Sequence, residues 1–221
     1  MVGPFEKGGN IEAKRKLAQQ AAALVKPHTI TGLGSGSTME LFVEALAQRQ
    51  ISENFKNRYV ASSKKIAQVA EMHQLQLVDI ESVQKIDQAF DGADRISPEG
   101  HLIKGGGGSL FRERQVLLMA EEKYIVADAS KYVQHFDAQP LPLEIVPFNS
   151  EHTKRVLAVL GYEGQFRQQD GQYIVTDNYN YLLDIVLPKQ VNLENAYKEI
   201  KLLPGVVEVG LFLDDEYILL K

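Results

Sequence analysis

Short apolar runs alternate with amphipathic segments along the first 135 residues of the chain. The apolar runs predict strands at 29–35, 58–63, 75–80, 85–94 and 123–131. The amphipathic segments predict helices at 64–74, 38–50, 110–122 and 10–25, the last with Asn10 as its N-cap. Because strands alternate with helices, we predict an α/β fold with a Rossmann-like, mostly parallel sheet and helices on both faces.

The pattern changes near residue 136. The segment PLPLEIVPFN is Pro-rich and extended, and a helix (150–160), three strands and a second helix (192–202) are predicted after it. This order resembles a small ferredoxin-like α+β domain. The last predicted strand, at 205–215, is expected to return to the first domain. We therefore predict a Rossmann-like catalytic domain from residues 1–135 and 206–221, and a smaller α+β domain from residues 136–205.

Composition narrows the expected partners and compartment. The net charge is −5, and the longest basic run is KRK at 14–16, so nucleic acid is not an expected partner. The absence of cysteine excludes disulfides and thiolate chemistry. No apolar run approaches the ~18 residues of a membrane span, and the first residues lack the apolar core of a signal peptide. We expect a cytoplasmic protein with no membrane partner.

The sequence GLGSGST at 32–38 joins a predicted strand to a predicted helix through three glycines. Such a turn directs backbone N–H groups and the positive end of the helix toward an anion. The loop is not a P-loop, because no Gly-Lys-Ser/Thr follows, and it lacks the G-x-G-x-x-G spacing of a dinucleotide site. A helix N-cap without any ligand explains the loop, taken alone, equally well.

Acidic residues and a lysine follow two later strand signals. Asp91 and Asp94 end one apolar run, while Lys104 precedes four glycines and Glu113 lies in a predicted helix. Taken singly, Asp91 and Asp94 would be explained as turn and cap residues, and Glu113 as part of a solvated helix face. Taken together, they suit proton abstraction beside a carbonyl, which needs a base, an acid and a cation. A metal is the competing use of the acids, but the absence of a nearby histidine leads us to expect none.

With these motifs in hand, the chain resembles the ribose-5-phosphate isomerase type A family. The resemblance runs in order along nearly the whole chain through GLGSGST (32–38), ASS (61–63), DGAD (91–94), KGGGGSLFRE (104–113), ADASK (127–131), LPLEIVPF (141–148), TDN (176–178) and GVVEVGLF (205–212). It implies interconversion of ribose 5-phosphate and ribulose 5-phosphate in the pentose phosphate pathway, with no metal and no other cofactor. It also implies a homodimer or, in some members, a homotetramer.

The resemblance assigns a role to each matching residue. Glu113 matches the general base, Asp91 and Asp94 match the acidic pair, and Lys104 matches the residue that stabilises the enediolate. The implied substrate-binding residues are Lys14, Ser35, Gly36, Ser37, Thr38, Gly92, Ala93, Gly105, Gly106, Gly107 and Lys131. Among these, Lys14 is assigned in preference to the adjacent Arg15 and Lys16.

Three positions depart from the family pattern, and three other functions compete with it. Arg95 stands where Glu is usual, Phe111 where Thr is common, and Tyr179 where Gly is usual. A sugar-phosphate sensor would need a DNA-binding module, for which the first 30 or so residues are too few. A deaminase or lactonase on a related fold would use a catalytic histidine in a motif. An acyl-carrier transferase would need a nucleotide-sized binding surface.

Overall fold

The computed structural model describes residues 11–213 and 216–221. The helices are α1 (Ile11–Leu24), α2 (Ser37–Ser52), α3 (Lys64–Met72), α4 (Leu110–Leu118), α5 (Ser150–Val159) and α6 (Leu193–Lys201). The strands are β1 (Ile30–Leu33), β2 (Arg58–Ala61), β3 (Ile86–Asp91), β4 (Arg95–Ile96), β5 (Leu102–Ile103), β6 (Ala120–Val126), β7 (Pro140–Ile145), β8 (Gly164–Phe166), β9 (Gln168–Gln169), β10 (Gln172–Tyr173), β11 (Tyr181–Val186), β12 (Val206–Val209), β13 (Leu211–Phe212) and β14 (Ile218–Leu220). The predicted N-cap Asn10 lies outside the described residues.

The largest sheet has five strands in the order β14-β6-β3-β1-β2, and every neighbouring pair is parallel. The chain leaves β1 toward β2 on one side and returns to β3 on the other, so the strand order reverses between β1 and β3. Ligands of doubly wound sheets bind at such a reversal, beyond the carboxyl ends of the strands. The predicted Rossmann-like parallel sheet is confirmed.

Alternate residues of the central strands face different helices, as the two-residue period of a strand requires. Leu33 and Phe90 pack in one core with residues of α1, α2 and α3. On the opposite face, a Cβ on Gly32 would stand 2.5 Å from the Val116 side chain of α4 and 3.0 Å from Ala89. Helices therefore cover both faces, and α4 lies so close to β1 that position 32 has no room for a side chain.

A second sheet has four antiparallel strands in the order β12-β7-β11-β8. With its helices, the chain order is β7-α5-β8-β11-α6-β12, which is the ferredoxin-like arrangement. Leu143, Ile145 and Leu183 share a buried core with Leu157 of α5 and Ile200 of α6. The predicted α+β domain is therefore ferredoxin-like, as the sequence pattern indicated.

The predicted strand at 205–215 is not one strand of the first sheet. It divides at Gly210 into β12, which pairs with β7, and β13, which pairs with β5 in a three-stranded sheet. A Cβ on Gly210 would lie 2.4 Å from the Lys104 carbonyl oxygen, so only glycine allows this crossing between sheets. The hairpin of β4 and β5 was not predicted, because two-residue strands leave no hydrophobic period.

Two other elements differ from the prediction. The apolar run at 75–80 forms only an isolated bridge, Tyr59 with Leu77, and then enters a 3₁₀ turn at Ile80–Ser82. The helix predicted at 110–122 ends at Leu118, because Ala120 and Glu122 pair with β3.

The described residues divide into two compact units. We call residues 11–93, 112–131 and 216–221 the five-stranded unit, and residues 94–111 and 132–213 the four-stranded unit. The predicted domains differ from these units at 94–111, 132–135 and 206–213. The reason is that β4, β5 and β13 pair with one another, Tyr132 bridges Ile96 of β4, and β12 joins the four-stranded sheet. The boundaries 1–135 with 206–221 and 136–205 stay a prediction.

A buried tyrosine links the α5 and α6 ends of the four-stranded unit. The Tyr162 hydroxyl donates a hydrogen bond of 2.7 Å to Glu199. Burial first, and then the Glu199 carboxylate, raise the pKa of Tyr162 to about 12. A phenol with a raised pKa stabilises the fold fully below its unfolded pKa near 10, and this contribution is lost as the pH rises toward the folded value.

We expect the free energy of unfolding of Tyr162→Phe to fall less steeply with rising pH in the alkaline range than that of the unmodified protein. Between about pH 10 and about pH 12 the unmodified protein should lose unfolding free energy that the phenylalanine variant cannot lose through this position. Urea denaturation of both proteins across that range measures the difference, and the same pair near pH 8 serves as the reference. Parallel stability curves above about pH 10 would contradict the linkage.

Candidate active site

The loop between β1 and α2 lies at the carboxyl edge of the five-stranded sheet, where the strand order reverses. Its Gly34 N–H donates to the Phe90 carbonyl oxygen at 2.7 Å, which continues the pairing of β1 with β3. A Cβ on Gly34 would lie 2.1 Å from Asp91 Oδ1. Residue 34 must therefore be glycine for the loop to pass beside Asp91.

The end of the loop leaves the first turn of α2 open. Gly36 caps the helix with φ of 96°, a conformation that glycine adopts without strain, and it has no side chain to accept hydrogen bonds from the helix. The N–H groups of the first turn and the positive helix end therefore favour an anion. This geometry fits the anion site predicted at Ser35, Gly36, Ser37 and Thr38.

Ser35 joins two buried carboxylates of the five-stranded unit. Its backbone N–H donates to Asp91 Oδ1 at 3.2 Å, and its hydroxyl donates to Glu113 Oε1 at 2.5 Å. Asp91 Oδ1 also accepts from the Gly92 N–H at 2.7 Å. Asp91 is 2% exposed and Glu113 is 4% exposed. The structure thus brings the predicted base and one predicted acid to the same loop, and shields both from water.

The contact from Ser35 to Glu113 was not predicted. The resemblance implies that Ser35 binds the phosphate, whereas in this structure the Ser35 hydroxyl donates to the Glu113 carboxylate. The two residues are 78 positions apart in the sequence, and no local pattern links them. Substrate binding by Ser35 stays a prediction.

Two of the predicted phosphate-binding residues, Lys14 and Lys131, are lysines of the five-stranded unit. Lys14 Nζ donates to the Ser37 hydroxyl at 3.3 Å. Burial alone would raise the pKa of Asp128, but hydrogen bonds from Ser130 and the charges of Lys131 and Lys14 together hold that pKa below its usual value. Lys14 and Lys131 therefore both act on one carboxylate, and Lys14 also reaches the helix end. Phosphate binding by Lys14 and Lys131 stays a prediction.

Asp128 organises the turn that carries Lys131. It accepts from the Ser130 N–H at 2.9 Å and also from the Ser130 hydroxyl. The 3₁₀ turn Ala129–Lys131 follows directly. This role of Asp128 was not predicted, although an Asp side chain that accepts the backbone N–H two residues later is a common turn pattern.

The remaining predicted residues belong to the four-stranded unit. The Asp94 carboxylate accepts the Gly106 N–H at 2.6 Å, and a Cβ on Gly106 would stand 2.4 Å from the same carboxylate. The Lys104 N–H donates to Gly210 at 2.9 Å, and Lys104 Nζ lies 5.7 Å from the centre of the Phe212 ring. Gly105 has φ of 101°, so the turn after Lys104 requires glycine.

Each predicted site residue has a defined place. The five-stranded unit contains Lys14, Ser35, Gly36, Ser37, Thr38, Asp91, Gly92, Ala93, Glu113 and Lys131, and the four-stranded unit contains Asp94, Lys104, Gly105, Gly106 and Gly107. Contacts within the first unit join Ser35 with Asp91 and Glu113, and Lys14 with Ser37. Contacts within the second join Asp94 with Gly106. The roles of these residues stay predictions.

Two of the departures from the family pattern have structural consequences. Arg95 donates from Nη1 to the Asp94 carbonyl oxygen and from Nε to Gln139, both at 2.7 Å, so its charge supports the backbone beside an acid. Tyr179 has φ of 64° and is 74% exposed, which explains why glycine is the easier residue there.

Residues 11–213 and 216–221 contain neither a metal-ligand cluster nor a membrane-spanning helix. Within that part of the chain, no group of three or more His, Asp and Glu residues could hold a metal ion. No described helix is long and apolar enough to cross a membrane. The expected absence of a metal or other cofactor stays a prediction.

The chain was compared with known proteins. A family model described as ribose 5-phosphate isomerase A (phosphoriboisomerase A) matches residues 58–219. A relative named ribose-5-phosphate isomerase A, from Chlamydia caviae, is 39% identical over 207 residues, covering 93% of this chain and 89% of that protein. The solved structure of ribose 5-phosphate isomerase A from Methanocaldococcus jannaschii has a TM-score of 0.90 at 32% identity, with 96% of each chain covered.

A second solved structure adds a ligand. It is a D-ribose-5-phosphate isomerase in complex with phospho-erythronic acid, with a TM-score of 0.89 at 27% identity over 96% of this chain and 95% of that chain. These matches confirm the resemblance drawn from the motifs and favour it over the sensor, deaminase and transferase alternatives. The family model spans more than half of the sequence, and the relatives cover most of it. The chain therefore belongs to the ribose 5-phosphate isomerase A family.

Proposed function

We propose that the protein is an aldose–ketose isomerase that interconverts D-ribose 5-phosphate and D-ribulose 5-phosphate. The observation that carries the proposal is the contact between Ser35 and Glu113 at 2.5 Å. This contact holds the buried Glu113 carboxylate against the loop that precedes α2. The first turn of α2 favours an anion. Membership of the family supports this choice of substrate. The solved relative in complex with phospho-erythronic acid supports a phosphorylated ligand for this chain.

Binding begins with the phosphate. The dianion accepts hydrogen bonds from the first turn of α2 and from the hydroxyl groups of Ser37 and Thr38, while Lys14 and Lys131 neutralise its charge. These groups lie away from the reacting carbons of the sugar. Their binding energy orients the C1–C2 end of the substrate before any proton moves.

The chemistry is a proton transfer between adjacent carbons. After the sugar ring opens with help from Asp91 and Asp94, the Glu113 carboxylate removes the C2 proton of the aldehyde form, and an enediolate results. The same carboxyl then returns the proton to C1, and the acidic pair moves the hydroxyl proton from O2 to O1. Lys104 and the N–H groups of Gly105, Gly106 and Gly107 stabilise the enediolate oxygen.

The resemblance supports further proposals about context. The protein needs no metal or cofactor, acts in the cytoplasm within the non-oxidative pentose phosphate pathway, and forms a homodimer. Gly92 and Ala93 contact the substrate between the two acids. Light scattering of the purified protein tests the assembly, and a monomer at micromolar concentration would contradict the homodimer.

We expect Glu113→Gln to fold and to bind ribose 5-phosphate with nearly unchanged KM, but to lose about a thousandfold in kcat. Glutamine keeps an oxygen for the Ser35 hydroxyl but cannot take a proton. Ribulose 5-phosphate formation, measured with EDTA present, gives both constants. Glu121→Gln, an exposed change on β6, is the matched control and should keep full activity.

Two outcomes of that experiment would contradict the proposal in different ways. Substantial turnover by Glu113→Gln would mean that another group is the base. Loss of turnover by the unmodified protein in EDTA would mean that a metal takes part.

The phosphate contacts should affect binding more than turnover. We expect Lys131→Ala and Thr38→Ala each to raise KM for ribose 5-phosphate about tenfold or more, with a smaller effect on kcat, because each removes one contact to the dianion. Lys85→Ala removes a lysine that pairs with Glu121 and is the matched control. A fall in kcat at unchanged KM would place these residues at the reacting carbons instead.

A further inference from the structure

Arg167 is a buried arginine outside every motif used so far. It follows β8 directly, and its side chain is 6% exposed. A buried guanidinium needs partners for its charge and its donors, because an unpaired charge is costly in the protein interior. The partners of Arg167 therefore indicate what the residue is for.

One edge of the guanidinium is bound by a carboxylate. Arg167 Nε donates to Asp184 Oδ2 and Nη2 donates to Asp184 Oδ1, both at 2.6 Å. Asp184 lies on β11, the antiparallel neighbour of β8. This paired geometry fixes the plane of the guanidinium on the sheet and leaves Nη1 to donate elsewhere.

The remaining nitrogen holds the glycine loop. Arg167 Nη1 donates to the carbonyl oxygen of Gly105 at 3.0 Å and to that of Gly106 at 2.9 Å. Glycines have no side chains to pack, and they have the largest conformational freedom of all residues. A loop that follows Lys104 with four glycines is therefore held from outside, by hydrogen bonds to its backbone.

A single peptide group transmits this contact to Asp94. The Gly105 carbonyl and the Gly106 N–H belong to the same planar unit and point in opposite directions. The carbonyl accepts from Arg167, while the N–H donates to Asp94 Oδ2 at 2.6 Å. Rotation of this peptide to release Arg167 would also withdraw the N–H from Asp94.

We propose that Arg167, held by Asp184, is a positioning residue for the isomerase reaction: it fixes the Gly105–Gly106 peptide and through it the Asp94 carboxylate and the backbone after Lys104. The inference rests on the proposed function. Stability alone is a weak reason for such a pair, since buried ion pairs can often be replaced by apolar residues without loss. The two hydrogen bonds that Arg167 donates to the glycine loop indicate instead that it aligns the reacting groups.

Arg49 provides a matched control in the same chain. It also pairs with a carboxylate, Glu53 at 2.9 Å, and also donates from Nη1 to two carbonyl oxygens, those of Ala22 and Val25, both at 2.7 Å. Its partners lie near the end of α1, just after α1 and just after α2, and none is a predicted site residue. Arg49→Lys therefore removes a similar set of contacts without touching the glycine loop.

The experiment compares Arg167→Lys with Arg49→Lys. Kinetics with ribose 5-phosphate give kcat and KM, competitive inhibition by inorganic phosphate gives the affinity of the phosphate site, and thermal denaturation gives stability. We expect Arg167→Lys to lose about a hundredfold in kcat, the loss typical of a misplaced reacting group, with KM and the phosphate inhibition constant within about threefold. Arg49→Lys should keep kcat within about twofold at a comparable loss of stability.

Asp184→Asn is the second variant, and it tests the positioning role of Arg167 if Arg167→Lys does not fold. Asparagine keeps the shape of Asp184 but not its charge, so kcat should fall about tenfold with the phosphate inhibition constant unchanged. The proposal would be overturned if Arg167→Lys folds and keeps kcat within about twofold of the unmodified protein. If Arg167→Lys does not fold, the same result for Asp184→Asn would overturn it. Equal losses for the Arg49 and Arg167 variants, in step with stability, would overturn it too. Absence of turnover by the unmodified protein would instead overturn the proposed function, and the role of Arg167 with it.

Discussion

The parallel pairing of β1 with β3 is the constraint on which the site of the five-stranded unit depends. Leu33 stands opposite Phe90, and the next N–H along the chain, that of Gly34, still bonds to Phe90. The residues after the two strands must therefore emerge side by side. Ser35 then meets Asp91 through its backbone, and the helix α2 begins at the same edge. Strand register therefore brings the buried Asp91 and the first turn of α2 to the same edge of the sheet.

Glycine permits this close approach in two different ways. At Gly34 the obstacle is a neighbour, because a Cβ would overlap the Asp91 carboxylate. At Gly36 a Cβ would have room, and glycine is favoured instead because the backbone has a positive φ. Gly106 repeats the first case against Asp94 in the four-stranded unit. In both units, a carboxylate lies where a glycine leaves room for it and receives a backbone N–H there.

The sequence predicted the parts of the site that depend on local pattern. A strand, a glycine turn and a helix start are readable at 32–38, and acids after an apolar run are readable at Asp91 and Asp94. The sequence could not show that the Ser35 hydroxyl serves Glu113, or that Arg167 binds the loop after Lys104, because these contacts join residues 78 and 62 positions apart. Likewise, β4, β5 and β13 are too short to have a period, and only their pairing defines them.

The two acids of the DGAD motif are close in sequence but have different surroundings. Asp91 belongs to the five-stranded unit, is almost fully buried, and takes N–H groups from Ser35 and Gly92, both fixed by strand register. Asp94 belongs to the four-stranded unit and takes its N–H from Gly106, in a loop that strand pairing does not fix. Carboxylates in unlike environments can serve unlike roles in one reaction. Arg167 binds the carbonyl of the same Gly105–Gly106 peptide whose N–H donates to Asp94, so this peptide has a fixed partner on both sides.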